Sequence, residues 1–154
     1  MEKLNFDTGV KEYAINGGGV LRFNPSDPNV YARFLEAMEK IRGLEKELAA
    51  RAKELEGAED TQKSGAEALR LMARADRETK QLLSEAFGMD NDFDKLLGGV
   101  NLLAVAGNGR RVITNLLEAL QPIMVEGAES CARQQADAAV EQAERNRAQR
   151  RGQK

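Results

Sequence analysis

Apolar residues in the first third of the chain change period part-way along. Leu4, Phe6, Val10, Ile15, Val20, Leu21 and Phe23 are spaced through a segment rich in β-formers, with Asn16-Gly17-Gly18-Gly19 in its middle. Glycine takes the positive φ that a tight reversal requires, so the segment predicts a β-hairpin over residues 3–23. Two strands alone are marginally stable, and the following segment must cover their apolar face.

That segment opens with "NPSDPNV", Asn24 to Val30. Asp27 is placed to accept the unpaired N–H groups of a first helical turn, and Pro28 falls where a missing donor costs nothing. From there Val30, Phe34, Ala37, Ile41, Leu44, Leu48 and Leu55 follow steps of four and three, the a/d seam of a coiled coil, with Arg51 interrupting one seam position. The pattern predicts a helix over residues 28–56, about 43 Å long at ~1.5 Å per residue. A compact chain of this size has a radius of gyration of roughly 15 Å, so the helix either protrudes or pairs. Two readings of the seam stay open: packing against the rest of this chain, or an interface with another copy or a partner helix. The candidate protein-interaction residues are Phe34, Ile41, Leu44, Leu48 and Leu55.

The polar stretch from Gly57 to Gly65 predicts a break. A second helix follows over 66–87, with Leu69, Met72, Leu82, Leu83 and Phe87 as its apolar positions, "RADRETK" exposed between them, and Gly88 as its C-cap. Residues 92–126 are the most apolar part and predict the helical core. They divide into a short helix over 92–97, an apolar passage over 100–106, a turn at Gly107-Asn108-Gly109, and a helix from about Arg111 that Pro122 should kink. Residues 128–154 turn Ala-, Gln- and Arg-rich and read as a polar, basic helix or tail, frayed at its tip.

Together these elements predict a mainly α protein with a small N-terminal β-hairpin: one α+β domain over 1–127 and a C-terminal extension. The chain has 154 residues, which suits one domain with extensions rather than two. With 31% charged and only 5% aromatic residues, the composition favours solvated helices.

The chemistry is limited. No histidine is present to act as base, acid or metal ligand near neutral pH. Acidic pairs such as Glu45/Glu47 and Glu54/Glu56 fall on solvated helical faces, so the chain does not read as an enzyme. "DNDFD" (Asp90 to Asp94) starts like a calcium loop, but Lys95 stands where that loop needs glycine and Asn101 where it needs a bidentate glutamate. An acidic helix N-terminus explains those residues. "GNG" at 107–109 lacks the rest of a phosphate loop and reads as a turn. Neither metal nor cofactor is expected.

Cys131 is the single cysteine, which excludes an internal disulfide and fits a reducing cytoplasm. No leader-like apolar region opens the sequence and no stretch approaches 18 uninterrupted apolar residues, so neither secretion nor a membrane span is expected. The formal net charge of −2 gives no general attraction to nucleic acid. The basic run of Arg145, Arg147, Arg150, Arg151 and Lys154 has no interleaved aromatic to stack bases, and reads as a solubilising tail.

The order "LNFDTGVKEYAING", "RFNPSDPNVYARF", a charged helix, "FDKLLGGVN" and "NLLEALQPI" resembles the tail assembly chaperones of long-tailed phages and prophages of Gram-positive bacteria. The likeness runs from about Leu4 to Val125, and the "FDTG" and "FNPSDP" pieces around the hairpin are its most specific part. It implies a non-enzymatic, oligomeric factor in the host cytoplasm that binds the aggregation-prone tape measure protein and helps tail tube protein subunits polymerise around it. It transfers no residue-level site. A structural tail or baseplate component built through the same helices is the alternative.

Overall fold

The computed structural model describes residues 1–153; Lys154, the last residue of the predicted tail, lies outside the described residues. The chain is mainly α with a two-stranded antiparallel hairpin at its start. Strand β1 (Lys11–Ala14) pairs with β2 (Val20–Phe23) in the register Glu12↔Arg22 and Tyr13↔Leu21. The reversal is closed by Gly18 N–H donating to Ile15 O and Ile15 N–H to Gly19 O, both at 2.8 Å, with Asn16 and Gly17 at positive φ.

The hairpin is shorter than the apolar spacing predicts. Continuing its register would set Gly9 against Pro25, which has no N–H to offer, and Gly9 itself turns the chain at φ +71°. Asn24 Nδ2 donates to Thr8 O, and Gly9 N–H donates to Asp7 Oδ1. Residues 1–10 therefore lie outside the sheet, with Leu4 86% and Phe6 74% exposed.

Helix α1 (Pro28–Glu56) starts as its sequence dictates, Asp27 Oδ1 accepting from Asn29 N and Pro28 taking the first position. The break after it is only Gly57 to Asp60, narrower than the stretch to Gly65 suggests. Asp60 is the reason: Oδ1 accepts from Lys63 N, capping α2 (Thr61–Phe87) one turn earlier than predicted. The two helices fold back antiparallel along their whole length, with Arg51 facing Glu67 at the distal end and Arg33 Nε donating to Ala86 O at the other. The long helix does not stand out alone, because α2 is nearly as long and lies beside it.

Gly88, at φ +112°, ends α2, and the short α3 (Phe93–Leu96) is capped by Asp92, whose Oδ1 accepts from Asp94 N and Lys95 N. The glycine turn forms as predicted: Ala106 N–H reaches Arg110 O at 2.7 Å, and Gly109 takes φ +79°. Helix α4 (Val112–Gly152) follows without a side-chain cap. Its first N–H groups are satisfied by the preceding loop instead, Val112 donating to Ala104 O and Ile113 to Leu102 O, each at 2.9 Å.

α4 departs most from expectation. It runs through Pro122 and continues as one 41-residue helix to Gly152, where the sequence predicts fraying. Pro122 lies on the exposed side, so the Glu118 carbonyl deprived of its N–H partner faces water. Beyond Cys131 no described residue of α4 is even half-buried, so that half of the helix owes its order to its own composition and to the packed half it continues.

The core lies where hairpin, α1, α2, α3 and α4 meet. Leu21, Leu83, Phe93 and Leu102 are fully buried at its centre. Phe87 joins the layers: its ring meets Phe23 edge-on at 4.8 Å between centroids, Phe34 at 5.8 Å and Phe93 at 5.7 Å.

Candidate protein-interaction site

The structure turns most of the heptad seam inward. Ile41 is buried with Val30 and Ala37, and Phe34 packs its ring on Phe87 of α2. Leu44, Leu48 and Leu55 are half-buried along the α1–α2 seam. Three of the five candidate residues also border open space: Leu48 and Leu55 a groove of about 400 Å³ that Ala52, Ala68, Met72 and Leu103 help to line, and Leu44 a more polar one of about 410 Å³ beside Glu47 and Glu78.

A second groove, of about 500 Å³, was not visible as a motif because its walls come from three separated parts of the chain. Tyr13 and Ile15 at the end of β1 form one wall, Leu97 and Val100 after α3 the second, and Leu116 and Ile123 of α4 the third. Its lining is mainly apolar, with Asn16 and Asn115 as polar members. Val100 remains 46% exposed in it. Gly19 holds this region close, since a Cβ there would stand 2.9 Å from the Leu96 Cα and 2.7 Å from its side chain.

The orientation of α4 in this wall is fixed about a third of the way along the helix. Tyr31 Oη lies 2.5 Å from both Pro25 O and Met124 O, within reach of either carbonyl for its one proton. Burial first, then the neighbouring Cys131 and Tyr13, raise the Tyr31 hydroxyl above the ordinary tyrosine pKa, so it stays a donor. Burial and then Glu126 raise Tyr13 likewise. Gly127 sits so close to the same loop that a Cβ would fall 1.9 Å from Pro25 O.

Two polar assemblies brace this scaffold. Lys80, expected to be exposed within "RADRETK", has a side chain only 5% exposed and pairs through Nζ with Asp76 Oδ2 at 2.8 Å and Asp94 Oδ1 at 2.6 Å. Asp76 Oδ1 in turn accepts Leu102 N–H at 2.7 Å. Burial works to lower the Lys80 pKa, but the hydrogen bonds it donates to Asp76 and Asp94 outweigh it and leave the pKa raised. The second assembly is Asn91, which is buried. Its Oδ1 accepts Arg22 N–H, and its Nδ2 donates to Arg22 O and Phe87 O, closing the outer edge of β2.

These groups explain the acidic run at 90–94 as structure, Asp92 capping α3 and Asp94 closing on Lys80. Among the described residues, no three histidine, cysteine or acidic side chains are gathered as metal ligands, and no helix is long and apolar enough to cross a membrane. No family model, curated protein or solved structure matches the chain. The reading of its function rests on its own residues.

Proposed function

We propose that this protein is a phage tail assembly chaperone, a non-enzymatic factor that holds an apolar helical segment of the tape measure protein during tail morphogenesis. The observation that carries this reading is the groove of about 500 Å³ between the β1 end, Val100 and α4, an apolar trough flanked by polar helix surface. A trough of that kind accepts side chains at i, i+3 or i+4 and i+7 of an amphipathic helix. Covering them removes apolar area that otherwise drives aggregation, at roughly 25 cal/mol per Å². The resemblance of the segments around the hairpin and α4 to tail assembly chaperones supports the choice of client. The absence of histidine bears on the non-enzymatic part of the reading alone, leaving binding rather than chemistry as the simpler use of the groove. Tail tube subunits and the bacterial cytoplasm as place of action follow from the same proposal.

Co-expression with a tape measure fragment tests it. A fragment that becomes soluble and co-purifies with the protein supports the reading. A fragment equally insoluble with and without it ends the reading. Recovery of the protein in stoichiometric amounts from purified particles would instead favour a structural tail component.

A further inference from the structure

The free half of α4 and the tip of the α1–α2 hairpin carry opposite charge at opposite ends of the molecule. Residues 145–151 hold four arginines and no acid, and residues 54–60 hold four acids and no base. α4 begins beside the distal groove, which Arg111 and Thr114 border, and by Met124 it has reached Tyr31 near the start of α1. Past Gly127 it therefore travels away from the acidic tip. At ~1.5 Å per residue α1 is about 43 Å long, and the 25 residues of α4 after Gly127 add about 37 Å in the other direction. Within one chain the two ends cannot meet.

The groove of about 400 Å³, largely apolar but with Glu45 and Arg111 among its lining residues, lies directly behind the acidic tip. Its walls combine Leu48, Leu55 and Met72 with the small side chains of Ala49, Ala52 and Ala68, which let another helix come near. In α4, Ala132, Ala136, Ala139 and Ala143 fall on one face at steps of four, three and four, all exposed. The lengths agree. From Glu56 back to Glu45 along α1 is eleven residues, the same rise as from Arg147 back to Ala136 in α4.

We propose that the free half of α4 from one copy lies in the α1–α2 groove of a second copy, with Arg145, Arg147, Arg150 and Arg151 against Glu54, Glu56 and Glu59. Each copy offers one tail and one groove, and because the tail points away from its own acidic tip, two antiparallel copies can exchange tails reciprocally and close as a symmetric pair. It uses a different groove from the client and stands whether or not the client is a tape measure protein. Its electrostatic part is exposed and so sensitive to salt.

Two full-length variants test it, measured by light scattering across protein concentration at low and high salt. One carries Arg145→Glu, Arg147→Glu, Arg150→Glu and Arg151→Glu; the other carries Glu54→Lys, Glu56→Lys and Glu59→Lys, with the capping Asp60 kept. The native protein should grow with concentration to multiples of its 16.9 kDa protomer and shrink at high salt. Each variant alone should remain a protomer with native helicity by circular dichroism, since all seven side chains are exposed. Mixed in equal amounts, the two variants should assemble again, because each tail then meets a tip of opposite charge. A native protein that stays a protomer at every concentration overturns the proposal. So does assembly indifferent to the reversals, or a mixture that fails to regain it.

Discussion

Lys80 Nζ lies 2.8 Å from Asp76 Oδ2, one turn earlier on the same buried face of α2. Because Asp76 also holds Leu102 N–H and Lys80 reaches Asp94, this single ion pair fastens α2 to α3 and to the loop that opens α4. Both walls of the client groove contributed by residues 97–123 depend on that attachment.

Replacing Lys80 alone leaves a buried carboxylate without its partner. Lys80→Met should lower stability by about 3–5 kcal/mol in urea unfolding. The pair Asp76→Asn, Lys80→Met should cost less than Lys80→Met, because no uncompensated charge remains. Equal losses for the two would remove the ion pair from the account.

Alkaline pH should expose the same pair. The folded pKa of Lys80 is raised, so its contribution is complete below the unfolded lysine value of about 10.4 and is lost as pH climbs through the folded one. Tyr13 and Tyr31, raised above about 10, act in the same direction, since the unfolded chain gives up their protons first. These groups predict no change in urea midpoint from them between pH 7 and 9 and a decline above about pH 10, with a shallower decline in Lys80→Met.

The crossing of α4 over the Asn24–Pro25 loop gives a paired test with glycines. Gly127→Ala should destabilise by about 1–3 kcal/mol, because its Cβ would enter the space of Pro25 O. Gly65→Ala, in α2 with nothing within 4 Å of the new Cβ, should stabilise by about 0.5–1 kcal/mol. Thermal unfolding should move the two in opposite directions.

Leu44→Asp with Leu48→Asp should lower the melting temperature and helicity, because both side chains lie along the α1–α2 seam. Leu35→Asp, 65% exposed on the same helix, should do neither. Native melting temperature and helicity in the double variant would contradict the packing role and restore the reading of this part of the seam as an external interface only.

Local signals carried much of the fold. Asp27-Pro28 marked the start of α1, and Asn16 to Gly19 marked the hairpin turn, because capping and positive φ are decided by residues adjacent in sequence. Lys80 was missed because a lysine between polar neighbours reads as surface. The available signal was Asp76 at i−4 with a further acid at Asp94, and only the fold shows that these converge. The far half of α4 was underestimated for a different reason: it has helix-forming residues but no apolar stripe, and burial patterning is silent there. The client groove was least legible, since Tyr13, Val100 and Leu116 share no spacing and are brought together by tertiary packing alone.

The most direct measurement is the solubility of a co-expressed tape measure fragment in the presence of the native protein or of a Val100→Glu, Leu116→Glu variant whose circular dichroism matches native. The fragment should be soluble and co-purify with the native protein and be insoluble beside the variant. A fragment that stays insoluble beside both, or is equally soluble beside both, contradicts client binding in this groove.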